Sequence, residues 1–242
     1  MLEAGSDLHF RLLRDWLHIC NESHDDHASA KEEQVLPTRV LDVGNAENPN
    51  RLRLYEPKRE QGRYIALSHR WGESRPFSTE KETIEIRRNG IEFDQLPKTF
   101  QDAVAVTRKL GVQYLWIDSL CIIQDDDEDW RRESGKMETV FASAYCTIAA
   151  TSATNSVDGF LIPRSVKRFV RLQDNKDSQL YAYVSEVSED FDHDVEQGEL
   201  NKRAWVLQER ALSPRTIHFT AGQTYWECGS VVRCETLVQM IK

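Results

Sequence analysis

Three short, almost uninterrupted apolar segments constrain the fold of this 242-residue chain most strongly. They are YIALS at 64–68, VQYLWID at 112–118 and AYCTIAAT at 144–151. Strands that are apolar on both sides are typical of sheets covered on both faces. Helical patterns separate them: one at 96–111 starts at a proline and stops at a glycine, and another opens with QDDDEDW at 124–130. This β-α-β-α-β order predicts an α/β fold with a parallel sheet flanked by helices.

The second of these helices carries an acidic start and an apolar stripe. The run 125–129 is expected to be a solvated first turn, which the helix dipole favours. A divalent cation is the alternative, although the run lacks the glycine and the spacing of a calcium loop. The residues expected to form the buried stripe are Trp130, Met137, Val140, Phe141 and Ala144.

Shorter patterns flank this core. Apolar residues at helical spacing predict an N-terminal amphipathic helix at 6–21, with Leu8 on its buried face. TRVLDV and LRLY predict two short strands, and alternating runs such as RTIHFT and QTYWEC predict an added antiparallel portion. We therefore expect a helical lead-in at 1–36 and one large domain at 37–242 with its core at 60–230. The apolar ending LVQMIK predicts that this domain is truncated at its C-terminus.

Composition argues against several kinds of partner. The net charge of −9 argues against a nucleic-acid backbone, and the longest weakly polar run is too short to span a membrane. Five cysteines without a disulfide spacing indicate a reducing, cytoplasmic location. Cys20, His24 and His27 form a C-x3-H-x2-H pattern, but zinc needs a fourth ligand, so no metal is predicted. Because no glycine-rich nucleotide motif occurs, no resident cofactor is predicted either.

Polar side chains follow two of the predicted core strands. Ser68, His69 and Arg70 close the first strand, and Asp118 closes the second. In doubly wound sheets, ligands bind beyond the carboxyl ends of the strands. These residues therefore form either a ligand site, with Arg70 for a phosphate or carboxylate and Asp118 organising Arg70 or His69, or a loop that caps helix ends.

A carboxylate on a short helix is the other candidate. Trp205 and Glu209 lie four residues apart, so they share one face of a helix in RAWVLQER. If Trp205 walls a crevice, Glu209 lies at its rim. The alternative is a structural ion pair between Glu209 and Arg210, and spacing by itself favours that alternative.

Six blocks of the chain occur in the order known from one family. They are YIALSHRWG, LPKTFQDAV, LGVQYLWIDSLCIIQDDDEDW, ASAYCTIAATSA, DGFL and RAWVLQERALSPRTIHF. Together they resemble the fungal heterokaryon-incompatibility (HET) domain over residues 37–230. The resemblance implies a role in fungal non-self recognition and programmed cell death, with an incompatibility partner that the sequence does not identify.

The HET domain in turn resembles the Toll/interleukin-1 receptor (TIR) domain, which has a flavodoxin-like fold. The first strand is similar to the TIR opening strand, with His69 in the place of an aromatic residue and Trp71 inserted before Gly72. RAWVLQER is similar to the TIR block in which Glu follows Trp by four residues, although Val206 stands where that block has Cys. Residues 154–202 have no clear TIR counterpart.

The TIR resemblance implies an NAD⁺ glycohydrolase in which Glu209 is catalytic. It implies that NAD⁺ is a substrate rather than a cofactor, with Trp71 or Trp205 stacking on a ring and Arg70 holding a phosphate. Ser68, His69, Arg70, Trp71 and Asp118 are expected to line the site. Activity is expected to depend on homo-oligomers. The alternative is a non-enzymatic interaction module, which predicts a closed crevice and an exposed apolar patch.

Overall fold

Helices separate the central strands of the chain in this computed structural model, while short strands follow one another near both ends. The residues it describes are 2–23, 33–45, 47–72, 77–164, 169–173, 181–185, 190–202, 204–236 and 239–240. The α-helices, α1 to α7, are Asp7–Ser23, Ile84–Asn89, Lys98–Lys109, Asp118–Cys121, Asp127–Ser134, Met137–Ala142 and Ala204–Leu212. The strands, β1 to β13, are Gln34–Val35, Val40–Asp42, Arg53–Tyr55, Gln61–Gly62, Tyr64–Ser68, Tyr114–Trp116, Cys146–Ala149, Phe169–Gln173, Tyr181–Ser185, Arg215–Phe219, Thr224–Cys228, Val232–Cys234 and Gln239–Met240.

Within the described residues, nine strands form one mixed sheet in the order β13-β12-β11-β10-β7-β5-β6-β2-β3. The pairs β5–β6, β5–β7 and β7–β10 are parallel, and the outer pairs are antiparallel. Every residue of β5 and β7 is buried, as expected for central strands covered on both faces. The parallel strands run second-first-third-fourth in chain order, which is the flavodoxin-type doubly wound order. The predicted α/β fold is confirmed.

Strand β10 extends the parallel core, although its alternating pattern had predicted an antiparallel strand. Its Ile217 lies opposite Ile148 of β7 in a parallel register, while its other edge pairs with β11 in antiparallel register. The helix α7 immediately before β10 serves as a crossover, and such crossovers return the chain parallel to its neighbour. The antiparallel portion therefore begins at β11. Strands β8 and β9 pair with each other in a separate two-stranded sheet of the described chain.

The N-terminal helix α1 packs into the main core. Phe10, Leu13, Trp16 and Cys20 are buried in the same apolar cluster as the central strands. Leu8, predicted on the buried face, is 55% exposed instead. The next residue, His9, is buried. Its Nε2 atom forms a hydrogen bond of 2.9 Å with Thr224 Oγ1 of β11. No helix in the described part of the chain is long and apolar enough to cross a membrane.

The predicted acidic helix divides into α5 and α6, and its buried face differs from the prediction. Asp126 caps α5 by accepting hydrogen bonds from the backbone of Glu128 and Asp129. Asp129 is buried and binds Arg39, which directly precedes β2, so the acidic run is not wholly solvated. Glu133, one turn later, is buried on the same face. Trp130 therefore points elsewhere and is 50% exposed, contrary to its predicted place in the buried stripe.

Candidate active site

A cleft of about 680 Å³ opens beyond the carboxyl ends of the central strands. Residues from four separate parts of the chain line it, among them Trp71, Asp118, Gln124, Trp130, Gln208 and Glu209. Its volume lies within the range usual for small-molecule sites. Strand order reverses between β5 and β7, so this end of the sheet is where doubly wound folds bind ligands.

The Glu209 carboxylate meets the end of strand β5. Ser68 Oγ donates a hydrogen bond to Glu209 Oε2 at 2.5 Å, across 141 residues of sequence. An O–H···O⁻ bond of this length is charge-assisted and fixes the carboxylate relative to the sheet. Ser68 is buried and Glu209 is half-buried, so the carboxylate retains access to the cleft that it lines.

Arg210, the neighbour of Glu209, turns to a different set of carboxylates. Its Nε atom donates to Glu227 Oε2 at 2.7 Å, and its Nη2 atom donates to Glu227 Oε1 at 2.9 Å. A further bond of 2.8 Å joins Nη2 to Glu196. These contacts anchor helix α7 to strand β11. The Arg210 guanidinium therefore binds carboxylates outside the cleft. Among the described residues, the lining of the cleft includes Glu209 but not Arg210.

Asp118 organises Trp71 at the cleft wall. The indole Nε1 of Trp71 donates to Asp118 Oδ2 at 2.8 Å, and the backbone N–H of Ser119 donates to Oδ1 at 2.7 Å. His69 Nδ1 lies 3.9 Å from Oδ1. Asp118 is the first residue of α4, whose N-cap is Ile117 and has no side-chain cap bond, so the predicted capping role of Asp118 is not what the structure has. The carboxylate instead fixes Trp71 and lies near His69, whereas the alternative prediction had it organise Arg70 or His69.

His69 and Arg70 take other positions than the predicted lining. His69 is buried, with its ring packed edge-on against Phe100 at 5.0 Å between centroids. Arg70 faces outward and contacts Glu199, with 3.3 Å between Nη1 and Oε2. Neither belongs to the described lining of the cleft. His69 thus supports the wall from behind, and Arg70 lies outside it.

Two predicted positions depend on parts of the chain beyond the described residues. The backbone of Trp205 lies in α7, but its side chain is not among those described, so its role stays a prediction. His24 and His27 of the C-x3-H-x2-H pattern also lie outside the described residues. Among the residues that are described, no group of three or more His, Cys, Asp or Glu side chains could hold a metal ion.

Most of the lining residues were missed as site residues, and four of them are Gln124, Trp130, Arg131 and Gln208. Gln124 is held in place because its Nε2 donates to the backbone carbonyls of Asp118 and Ile122, at 3.2 and 3.0 Å. Each of the four lies inside or beside a block that resembled the HET domain. That clustering of polar and aromatic residues in the blocks was the available signal.

The charges lining the cleft favour a positively charged ligand group. Asp118, Glu138 and Glu209 contribute three carboxylates to the described lining, and Arg131 contributes the guanidinium. Carboxylates around a partly enclosed cleft attract a cation and stabilise positive charge that develops there. Arg131 gives the same cleft a place for a phosphate.

The sheet and cleft define an α/β domain with a cleft of small-molecule size at the switch point of a doubly wound sheet. A sequence model described as "Heterokaryon incompatibility protein (HET)" matches residues 64–209, more than half of the chain, and the chain belongs to this family. The match runs from the first residue of β5 to Glu209 itself. The family places the protein in fungal heterokaryon incompatibility. No curated protein and no solved structure matches the chain.

Proposed function

We propose that this HET domain is a cell-death effector of fungal non-self recognition and that its cleft hydrolyses NAD⁺, releasing nicotinamide. The observation that carries the proposal is the hydrogen bond from Ser68 to Glu209, which holds a carboxylate at the rim of an open cleft. The TIR resemblance predicted a catalytic role for this same Glu209. The non-enzymatic alternative predicts a closed crevice, but the described residues form an open cleft.

The reaction breaks the bond between C1′ of the ribose and the ring nitrogen of nicotinamide. The bonding electrons go to the nitrogen, so nicotinamide leaves as a neutral molecule and positive charge develops on the ribose. Water then attacks C1′ and loses a proton, giving ADP-ribose. Since the leaving group needs no protonation, one carboxylate near the ribose is sufficient to stabilise the oxocarbenium-like transition state.

Named side chains suit each part of the substrate. Glu209, oriented by Ser68, faces the developing charge on the ribose. Trp71, anchored by Asp118, offers a ring face for nicotinamide. Arg131 replaces Arg70 as the cation for the diphosphate, because Arg131 lines the cleft and Arg70 does not. The three carboxylates of the described lining favour the cationic nicotinamide end of NAD⁺.

Ser68 is proposed as a positioning residue, which gives a test within the site. Ser68→Ala removes the hydrogen bond to Glu209 while leaving the carboxylate in place. We expect kcat to fall about tenfold with KM little changed, since one charged hydrogen bond is lost. A rise in KM with kcat unchanged would place Ser68 in substrate recognition instead. Ser68→Thr, which keeps the hydroxyl, is expected to restore most of kcat.

We also propose that NAD⁺ hydrolysis requires self-association of the HET domain. TIR-type enzymes complete their sites in this way, and such a dependence keeps a death effector silent when dilute. Leu207, 63% exposed on the helix that carries Glu209, is an apolar side chain available for such a contact. Activity per molecule is therefore expected to rise with protein concentration. A constant specific activity across concentrations would refute this dependence.

A further inference from the structure

A second groove, of about 500 Å³, opens at the other end of strand β5 from the cleft. Tyr64, the first residue of β5, lies in its lining, whereas Ser68 at the other end of the strand contacts Glu209. Part of the lining is apolar and includes Leu36, Pro37 and Val140. The groove is therefore separate from the proposed active site.

Another part of the lining of this groove is basic. It consists of Lys58, Arg59 and Lys136. Lys136 Nζ is held by Thr38 Oγ1 and by Glu133 Oε1, both at 3.0 Å. For Lys58 and Arg59, no ion pair or side-chain hydrogen bond is found within the described part of the chain. Two cations are thus available in a protein whose net charge is −9.

Hydroxyl groups complete the polar lining. Thr38, Thr139 and Ser143 line the groove together with the three cations. Among the described lining residues there is one carboxylate, Glu56, and it is bound by Arg88. Ammonium, guanidinium and hydroxyl donors converging on one groove are the donor set that binds phosphate oxygens.

Lys58 and Arg59 lie in a turn whose backbone conformation is strained for residues that have a Cβ. Both have positive φ, 44° and 73°, and the turn is closed by a 2.8 Å bond from Glu60 N to Pro57 O. Turns with two central residues in this region favour Asn-Gly, because side chains with a Cβ are strained there. A Lys-Arg pair at such a place costs stability, and strained positions of this kind cluster at ligand sites.

We propose that this groove binds an organic phosphate, with the phosphate on Lys58, Arg59 and Lys136 and the body of the molecule on the apolar part of the lining. The cations and hydroxyls supply the phosphate contacts. Leu36, Pro37 and Val140 supply the contact area for an apolar body. The ligand class is therefore a phosphate ester rather than free phosphate, and the site is independent of NAD⁺ hydrolysis.

The test uses AMP as the probe and a variant that is expected to fold better than the parent. Lys58→Asn with Arg59→Gly gives the turn its preferred residues while removing both free cations. We expect isothermal titration to show saturable AMP binding by the parent, weakened about a hundredfold in the double variant, tenfold per lost cation. Without AMP, the variant is expected to melt about 2–4 °C higher.

Two controls show whether AMP binds in this groove. Arg11→Ala removes an exposed arginine of helix α1 and is expected to leave AMP binding unchanged. Inorganic phosphate is expected to bind the parent at least about tenfold more weakly than AMP, because it has no body for the apolar lining. Equal AMP affinity in parent and double variant would overturn the proposal and place the nucleotide in the cleft. So would an absence of saturable AMP binding up to about 1 mM.

Discussion

The buried carboxylate of Glu227 is predicted to be a main support of the helix that carries Glu209. It is 5% exposed and accepts hydrogen bonds from His218 Nε2 at 2.9 Å and from Arg210 at 2.7 and 2.9 Å. Burial by itself raises the pKa of Glu227, but the hydrogen bonds from His218 and Arg210 outweigh it and hold the pKa well below its ordinary value. Glu227→Gln leaves the half-buried Arg210 guanidinium without this charge and weakens the bond to the buried His218 ring, which costs about 3–5 kcal/mol.

Urea unfolding followed by tryptophan fluorescence measures this cost directly. In a domain of this size, the loss of unfolding free energy corresponds to a melting temperature lower by roughly 10 °C. Glu196→Gln is the matched control, because Glu196 also pairs with Arg210 but its side chain is 49% exposed. That variant is expected to lose less than about 1 kcal/mol. A loss below about 1 kcal/mol for Glu227→Gln as well would refute the argument that this carboxylate holds α7 on β11.

The same cluster predicts how stability depends on acid. A carboxyl with a depressed folded pKa contributes its full stability above its ordinary pKa of 4.5, and this is lost as the pH falls toward the folded value. The parent is therefore expected to lose stability steeply below about pH 4.5. Glu227→Gln is expected to show a shallower loss in the same urea series. Parallel slopes for the two proteins would contradict the assignment.

Other contacts in the fold lead to three further predictions. Burial lowers the pKa of His9 from 6.5 to about 4. The free energy of unfolding of the parent is therefore expected to fall by up to about 3 kcal/mol as the pH drops from 6.5 to 4. His9→Gln is expected to show a weaker pH dependence in urea unfolding. Gly72→Ala places a Cβ 2.6 Å from Asn155 Cβ at a φ of 81° and is expected to cost about 1–3 kcal/mol by the same assay. Trp71→Phe loses the bond to Asp118 and is expected to raise the KM for NAD⁺ about tenfold in nicotinamide-release kinetics, with unchanged KM as the contradicting result.

The central strands could be predicted from sequence because burial on both faces leaves a continuous apolar run. YIALS became β5 with its predicted bounds, Tyr64–Ser68. The helix predicted at 96–111 formed at Lys98–Lys109, with Phe100, Ala103 and Val104 buried as its periodicity required. These elements could be predicted because their patterns are local in sequence.

The acidic helix shows what local patterns do not contain. Asp129 is buried because Arg39, 90 residues earlier, reaches it from the start of β2. Arg39 also donates to the carbonyl of Cys121 at 2.7 Å, so one long-range guanidinium ties two segments together. The Arg39–Asp129 ion pair buries the Asp129 face of α5 and leaves Trp130 in the lining of the cleft. Residue spacing within the helix could not reveal a partner so distant in sequence.

The site was predicted in part. The rule that ligands bind at carboxyl strand ends brought Ser68 and Asp118 to the correct edge of the sheet. The pairing of Ser68 with Glu209 depends on where α7 lies relative to the end of β5, which no spacing in the chain specifies. Arg70 and His69 adjoin Ser68 in sequence, yet the chain leaves the sheet at that point, so His69 turns inward to Phe100 and Arg70 outward to Glu199.

The most direct test of the proposed function is nicotinamide release from NAD⁺ by the concentrated protein, measured beside Glu209→Gln and Glu128→Gln. Glu128 is an exposed carboxylate of α5 and serves as the matched control. We expect release by the parent and by Glu128→Gln, and a fall of at least about a thousandfold in folded Glu209→Gln. Equal release by Glu209→Gln, or no release by the parent at any concentration, would contradict the proposal that Glu209 catalyses NAD⁺ hydrolysis.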